Sequence, residues 1–118
     1  MVALVVREYD EAIAFYRDVI GFRVVEDTQL AAKRWVRMRG EGGAELLLSR
    51  AVGDQADVVG KQAGGRVFLF VHTTDFDADV ARLRIANALT EEPRSEEYGR
   101  VVVFADLYGN RIDLIERA

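Results

Sequence analysis

The stretch VVVFADLYGNRIDLIER, residues 101–117, decides how the rest of the chain is read. An apolar run enters a turn at Gly109-Asn110 and leaves as a second strand-like run, Ile112, Leu114 and Ile115, that contains one acid, Asp113. Turn-forming Gly and Asn between two β-type runs predict a closing hairpin, 99–106 with 110–117. The acid needs a reason, because a carboxylate among buried neighbours must be paired, hydrogen-bonded or protonated.

Working outward, the same order of elements occurs twice. A strand over 2–6 precedes a helix over 7–20, where Ala12, Phe15 and Val19, or Ile13, Tyr16 and Ile20, recur at helical spacing. Gly21 stops it, and strands follow over 22–27, 33–39 and 44–50, the last two joined by the glycine-rich turn 40–43. Residues 51–65 contain four glycines and no sustained period, which predicts a surface connection. Beyond it come a strand over 66–73, a helix over 75–86 with Asp75 as N-cap, a short strand over 87–94 ending at the sole proline region, and the closing hairpin. YDEAIAFY starts at Tyr9 and FDADVARL at Phe76, 67 residues apart; AELLL laid on IDLIE sets Glu45 against Asp113, 68 apart. The expectation is a duplicated module with one acid in each copy.

The chain has 118 residues, of which 50% are hydrophobic, so one domain over 1–118 can bury a core without staples. It divides into module one (1–50), the connection (51–65) and module two (66–118). With no cysteine, disulfides, thiolate metal sites and a cysteine nucleophile are excluded, and a cytoplasmic location is expected. A net charge of -4 argues against a nucleic-acid surface, and the short apolar runs argue against a membrane span or signal peptide.

Three segments, AIAFYRDVIGFRVVED, GGAELLL and VVVFADLYGNRIDLIE, resemble the vicinal oxygen chelate superfamily, which includes glyoxalases, bleomycin-resistance proteins and extradiol dioxygenases. The resemblance covers essentially the whole chain. It implies an α+β fold of two βαβββ modules, each an incompletely closed mixed sheet, around a cup-shaped cavity, with a homodimer as the usual assembly. In metal-dependent members it implies four ligands, on the first and last strand of each module. Carried over, the first-strand positions fall at Met1 or just before it and at Phe68, with Arg66 two residues away; neither Phe68 nor Arg66 is a metal ligand. The last-strand positions are Glu45 and Asp113. Two carboxylates without an imidazole hold Mg²⁺ or Ca²⁺ only loosely, so no cofactor is expected, a divalent metal being the alternative.

Residues two apart on a strand share a face. Arg66, Phe68, Phe70 and His72, then Glu45 and Leu47, then Arg111 and Asp113, are therefore the candidate ligand-binding residues. His72, the sole histidine, and Glu45 are the catalytic candidates if the chain is an enzyme. Arg66 or Arg111 would clamp an anionic ligand or neutralise one of the acids. Trp35, Tyr98, Tyr108 and Phe104 are candidates for stacking. The resulting expectation is a metal-independent small-molecule binding protein of the bleomycin-resistance kind. The alternatives are a glyoxalase-like lyase, isomerase or dioxygenase with a nonstandard metal site, and a structural dimer without a dedicated ligand.

Overall fold

The computed structural model describes residues 1–117. Module one comprises β1 (Val2–Val6), α1 (Tyr9–Phe15), β2 (Arg23–Gln29), β3 (Arg34–Arg39) and β4 (Glu45–Arg50). Module two comprises β5 (Val67–Thr73), α2 (Phe76–Ile85), β6 (Arg94–Glu96), β7 (Gly99–Ala105) and β8 (Arg111–Glu116). Each forms its own four-stranded mixed sheet, in the orders β1-β4-β3-β2 and β5-β8-β7-β6, with the first strand parallel to the last. The expected α+β fold of two βαβββ modules is present.

Alternation explains why one face of each sheet is buried. In β4, Leu46 and Leu48 point inward while Glu45, Leu47 and Ser49 alternate outward; in β8, Ile112 and Leu114 point inward while Arg111, Asp113 and Ile115 point outward. The inward set joins Ala12, Ile13 and Tyr16 of the first helix and Phe76, Val80 and Leu83 of the second in one continuous core. Burying each of the larger aliphatic and aromatic side chains stabilises the fold by roughly 1.5–3 kcal/mol.

The first helix is not uniform. After Phe15 it widens into a π-helical turn, Tyr16–Ile20, that ends at Gly21 as expected, with the Phe22 amide donating to the Tyr16 carbonyl at 2.8 Å. The second helix starts where expected, its Asp75 side chain accepting from the Ala78 amide.

Two expectations need correction. The short strand lies at Arg94–Glu96, not 87–94: Pro93 lacks an amide hydrogen, and upstream of it only Leu89 makes an isolated bridge, to Phe104. The connection also carries more structure than expected. It contains a 3-10 helix, Gly53–Val58, and its Gln62 side chain binds the free edge of β1, accepting from the Val5 amide at 2.8 Å and donating to the Ala3 carbonyl at 2.6 Å. Close by, Gly60 (φ +79) lies so near the Tyr108 carbonyl that an added Cβ would sit 2.0 Å from its oxygen.

Candidate functional site

The register of the repeat is set by its turns. In the first hairpin the Gly40 amide donates to the Ala44 carbonyl and the Gly43 amide to the Gly40 carbonyl; in the second, the Asp106 amide donates to Asn110 and the Gly109 amide to Asp106. Gly43 and Gly109 have nearly equal left-handed φ values, 99° and 97°. The two turns are therefore the same loop, 66 residues apart, and they pair Arg39 with Glu45 and Ala105 with Arg111. Glu45 is thus the counterpart of Arg111, and Asp113 is the counterpart of Leu47. The acids aligned in sequence are not equivalent in the fold.

This changes the metal inventory. Beside Asp113 in the parallel ladder stands Phe70, and beside Leu47 stands Ala3. Of these four positions on the first and last strands, only Asp113 offers a metal-binding oxygen. Met1, the other first-strand candidate, is exposed and ahead of β1; Phe68 falls in a bulge between Val67 and Leu69 and packs against the core. Among the described residues no three His, Cys, Asp or Glu side chains come together as a metal site.

Glu45 is occupied in another way. Arg37 Nη1 donates to Glu45 Oε1 at 2.5 Å, and Arg39 Nη2 donates to Oε2 at 2.8 Å. Arg39 and Arg37 together hold the Glu45 carboxyl below its usual range. Arg37 also donates through Nε to Glu26 Oε1 at 2.8 Å, and the Trp35 indole N–H donates to the same oxygen at 3.2 Å. A chain of charges thus runs across β2, β3 and β4 on the outward face and fixes the Trp35 ring. Sequence reading missed these two arginines, although RMRGEGGAE contains the signal: a tight hairpin brings alternating residues on its two arms onto one face.

Neither Arg66 nor Arg111, one of which was expected to neutralise an acid, hydrogen-bonds to Glu45 or Asp113. Arg66 is exposed ahead of β5, and Arg111 donates to the Gly65 carbonyl at 3.4 Å. Asp113 Oδ1 is shielded from water and has no hydrogen-bond partner. Desolvation pushes the Asp113 carboxyl up; Arg94 opposes this, Glu91 reinforces it and Arg111 opposes it.

On the outward face of the second sheet, Asp113 shares its surroundings with Phe70, His72 and Ile115, which alternate in phase with it across β5 and β8. Phe70 is 54% exposed, which puts a large aromatic side chain on this face. His72 is exposed beside Ile115. On the first sheet, Trp35, Leu47 and Ser49 line a groove of about 370 Å³ whose far wall is Val52 and Gln55, next to and within the 3-10 helix. A separate cleft of about 530 Å³ lies where the modules meet, between Arg7, Arg50 and Tyr108. There Tyr108 donates its hydroxyl to Glu11 at 2.6 Å, and burial together with Glu11 pushes the phenol up to about 12.

Comparison with known proteins agrees with the fold. The family described as Glyoxalase/Bleomycin resistance protein/Dioxygenase superfamily matches residues 1–114. An uncharacterized protein of Shewanella frigidimarina (strain NCIMB 400) is 47% identical over 121 positions, covering 98% of this chain and 90% of that protein. The crystal structure of UcmS2 superposes with a TM-score of 0.78 at 28% identity, covering 97% of this chain and 93% of that one. TnmS3, an antibiotic binding protein from Streptomyces sp. CB03234, superposes with a TM-score of 0.75 at 26% identity, covering 99% and 93%.

Proposed function

We propose, from the premise that this chain belongs to the glyoxalase/bleomycin resistance protein/dioxygenase superfamily, that it is a small-molecule binding protein working without a metal. The observation that carries this reading is the occupancy of the four strand positions by Ala3, Leu47, Phe70 and Asp113. A divalent centre needs several converging oxygen or nitrogen donors, and one carboxylate does not supply them. The residues present do not fit the metal of the family's enzymes, and Glu45 is already shared by two arginines.

The outward faces of the two sheets are the proposed binding surfaces. They combine aromatic and aliphatic side chains with a few polar groups, the usual makeup of a ligand pocket. Both faces are open to solvent in one chain, and a second copy laid across them closes the cup, so a homodimer is part of the proposal. A cytoplasmic location is also part of it, supported by the cysteine-free composition. The likeness to an antibiotic binding protein supports an antibiotic-like natural product as the kind of ligand.

Two measurements test the reading together. Protein purified without chelator is assayed for metals and for turnover of the methylglyoxal–glutathione hemithioacetal, while thermal shift is scored against a panel of aromatic antibiotics. Raised melting temperature with some panel members and sub-stoichiometric metal is the expected result. Stoichiometric zinc, nickel, iron or manganese, lost along with turnover in Asp113→Asn, sinks it.

A further inference from the structure

The groove on the first sheet has a chemistry of its own, distinct from the acidic character of the whole chain. It is lined by the Trp35 indole, held by the hydrogen bond to Glu26, and by Leu47, Ser49 and Val52. Three cations stand around it: Lys33, Arg34 and Arg50. Arg34 is committed, since it clamps Asp27 through two nitrogens at 2.7 and 2.8 Å, reaches Asp10 at 2.8 Å and lies over the Tyr9 ring. Arg50 faces Glu8 at 3.3 Å. Lys33 has no carboxylate partner among the described residues; its ammonium lies 5.9 Å from the centre of the Trp35 ring. The backbone beneath it is anchored, because the Lys33 carbonyl accepts from the Leu30 amide at 2.7 Å and from the Gln29 side chain.

The one uncompensated charge of the groove is therefore positive and sits above a fixed aromatic wall. We infer that this groove takes a planar aromatic acid, its ring against Trp35 and Leu47 and its carboxylate or sulfonate on the Lys33 ammonium. A cationic ligand meets like charge at the same place, and a purely aliphatic one leaves the indole face without a matching surface. The volume of about 370 Å³ suits a ligand of two or three fused rings. This assignment rests on the small-molecule binding reading and narrows it to one sheet face and one charge class.

Trp35 is the sole tryptophan, so its indole N–H gives a single reporter resonance in ¹⁵N-labelled protein. The probes are naphthalene-2-sulfonate and its charge-reversed analogue, naphthalene-2-methylammonium. The sulfonate is expected to shift the indole resonance saturably and the ammonium compound is not. Lys33→Gln is expected to weaken the sulfonate by roughly tenfold, the loss of one charge-assisted hydrogen bond. Lys33→Glu is expected to reverse the preference, with the melting temperature unchanged in both variants. Equal or tighter binding of the ammonium compound by the wild type, or a Lys33→Gln variant that binds the sulfonate normally, overturns the aromatic-acid assignment while leaving the binding-protein reading intact. An indole resonance unmoved by either probe removes the groove as a site. The antibiotic panel separately decides whether the chain binds small molecules at all.

Discussion

The Tyr16 hydroxyl donates to Asp106 Oδ2 at 2.7 Å, joining the first helix of module one to the last hairpin turn of module two across ninety residues of sequence. Asp106 is buried, and it also accepts from the Asn110 side chain and from the Tyr108 and Asn110 amides. The FY of the first helix and the D…GN of the last turn are therefore parts of one fastening. Tyr16→Phe is expected to lower stability by about 1–3 kcal/mol, since it leaves a buried carboxylate short of one donor. Urea denaturation followed by circular dichroism measures this; a change below about 0.5 kcal/mol, ordinary for a surface site, rules out the fastening role.

The contact between Gly60 and the Tyr108 carbonyl makes a second, independent expectation. Gly60→Ala forces a Cβ into that carbonyl and a left-handed φ on alanine, so a loss of about 2 kcal/mol or more is expected. Gly53→Ala is the control, because its φ is +58 but nothing lies within 4 Å. It is expected to show only the left-handed cost of about 1–2 kcal/mol. Equal losses in the two variants mean that the close approach carries no energy.

Asp113 governs a pH dependence whose sign can be stated. Its folded carboxyl is raised above the ordinary value of 3.8, so between 3.8 and the raised value the folded state binds more protons than the unfolded chain. Stability then falls as pH rises through that window, and the ionised acid destabilises the fold above it. Asp113→Asn is expected to be more stable than the wild type at neutral pH, with the difference closing below about pH 4. Melting temperatures of the pair from pH 3 to 8 test this. A variant less stable at pH 7 means that the carboxylate has found a partner.

Phe70 tests the proposed assembly. Phe70→Asp places a charge on an outward aromatic position without disturbing the core, so the monomer fold is expected to persist while sedimentation shifts from dimer to monomer. An unchanged sedimentation coefficient excludes this face from any interface.

Most of the fold was legible because alternation and helical spacing are local. Val2–Val6 and Glu45–Arg50 declare themselves as short apolar runs and Arg111–Glu116 by alternation, and the glycines and Asn110 punctuate them. The register between copies was not, because AELLL matches IDLIE best, acid on acid, whereas the fold lays it on NRIDL two residues earlier. The turn glycines, Gly43 and Gly109, give the right offset since their backbone geometry admits no slip. Fixing register then moved Leu47 into the place assumed for Glu45. The arginine partners of Glu45 were legible but unread: the tight turn in RMRGEGGAE puts Arg37 and Arg39 on the face of Glu45 once the hairpin is paired across it. The bulge that diverts Phe68 has no mark in RVFLFVHT at all, where Val67 to Val71 form one unbroken apolar run.

The Gln62 amide on β1 imitates one residue of a neighbouring parallel strand, accepting from the Val5 N–H and donating to the Ala3 carbonyl. A strand edge left bare is a template on which other chains can stack, and open sheets are prone to polymerise in that way. With a side chain seated at that rail, fibre growth from β1 must first evict the connection. The segment that joins the two modules therefore also occupies hydrogen-bonding groups on that edge.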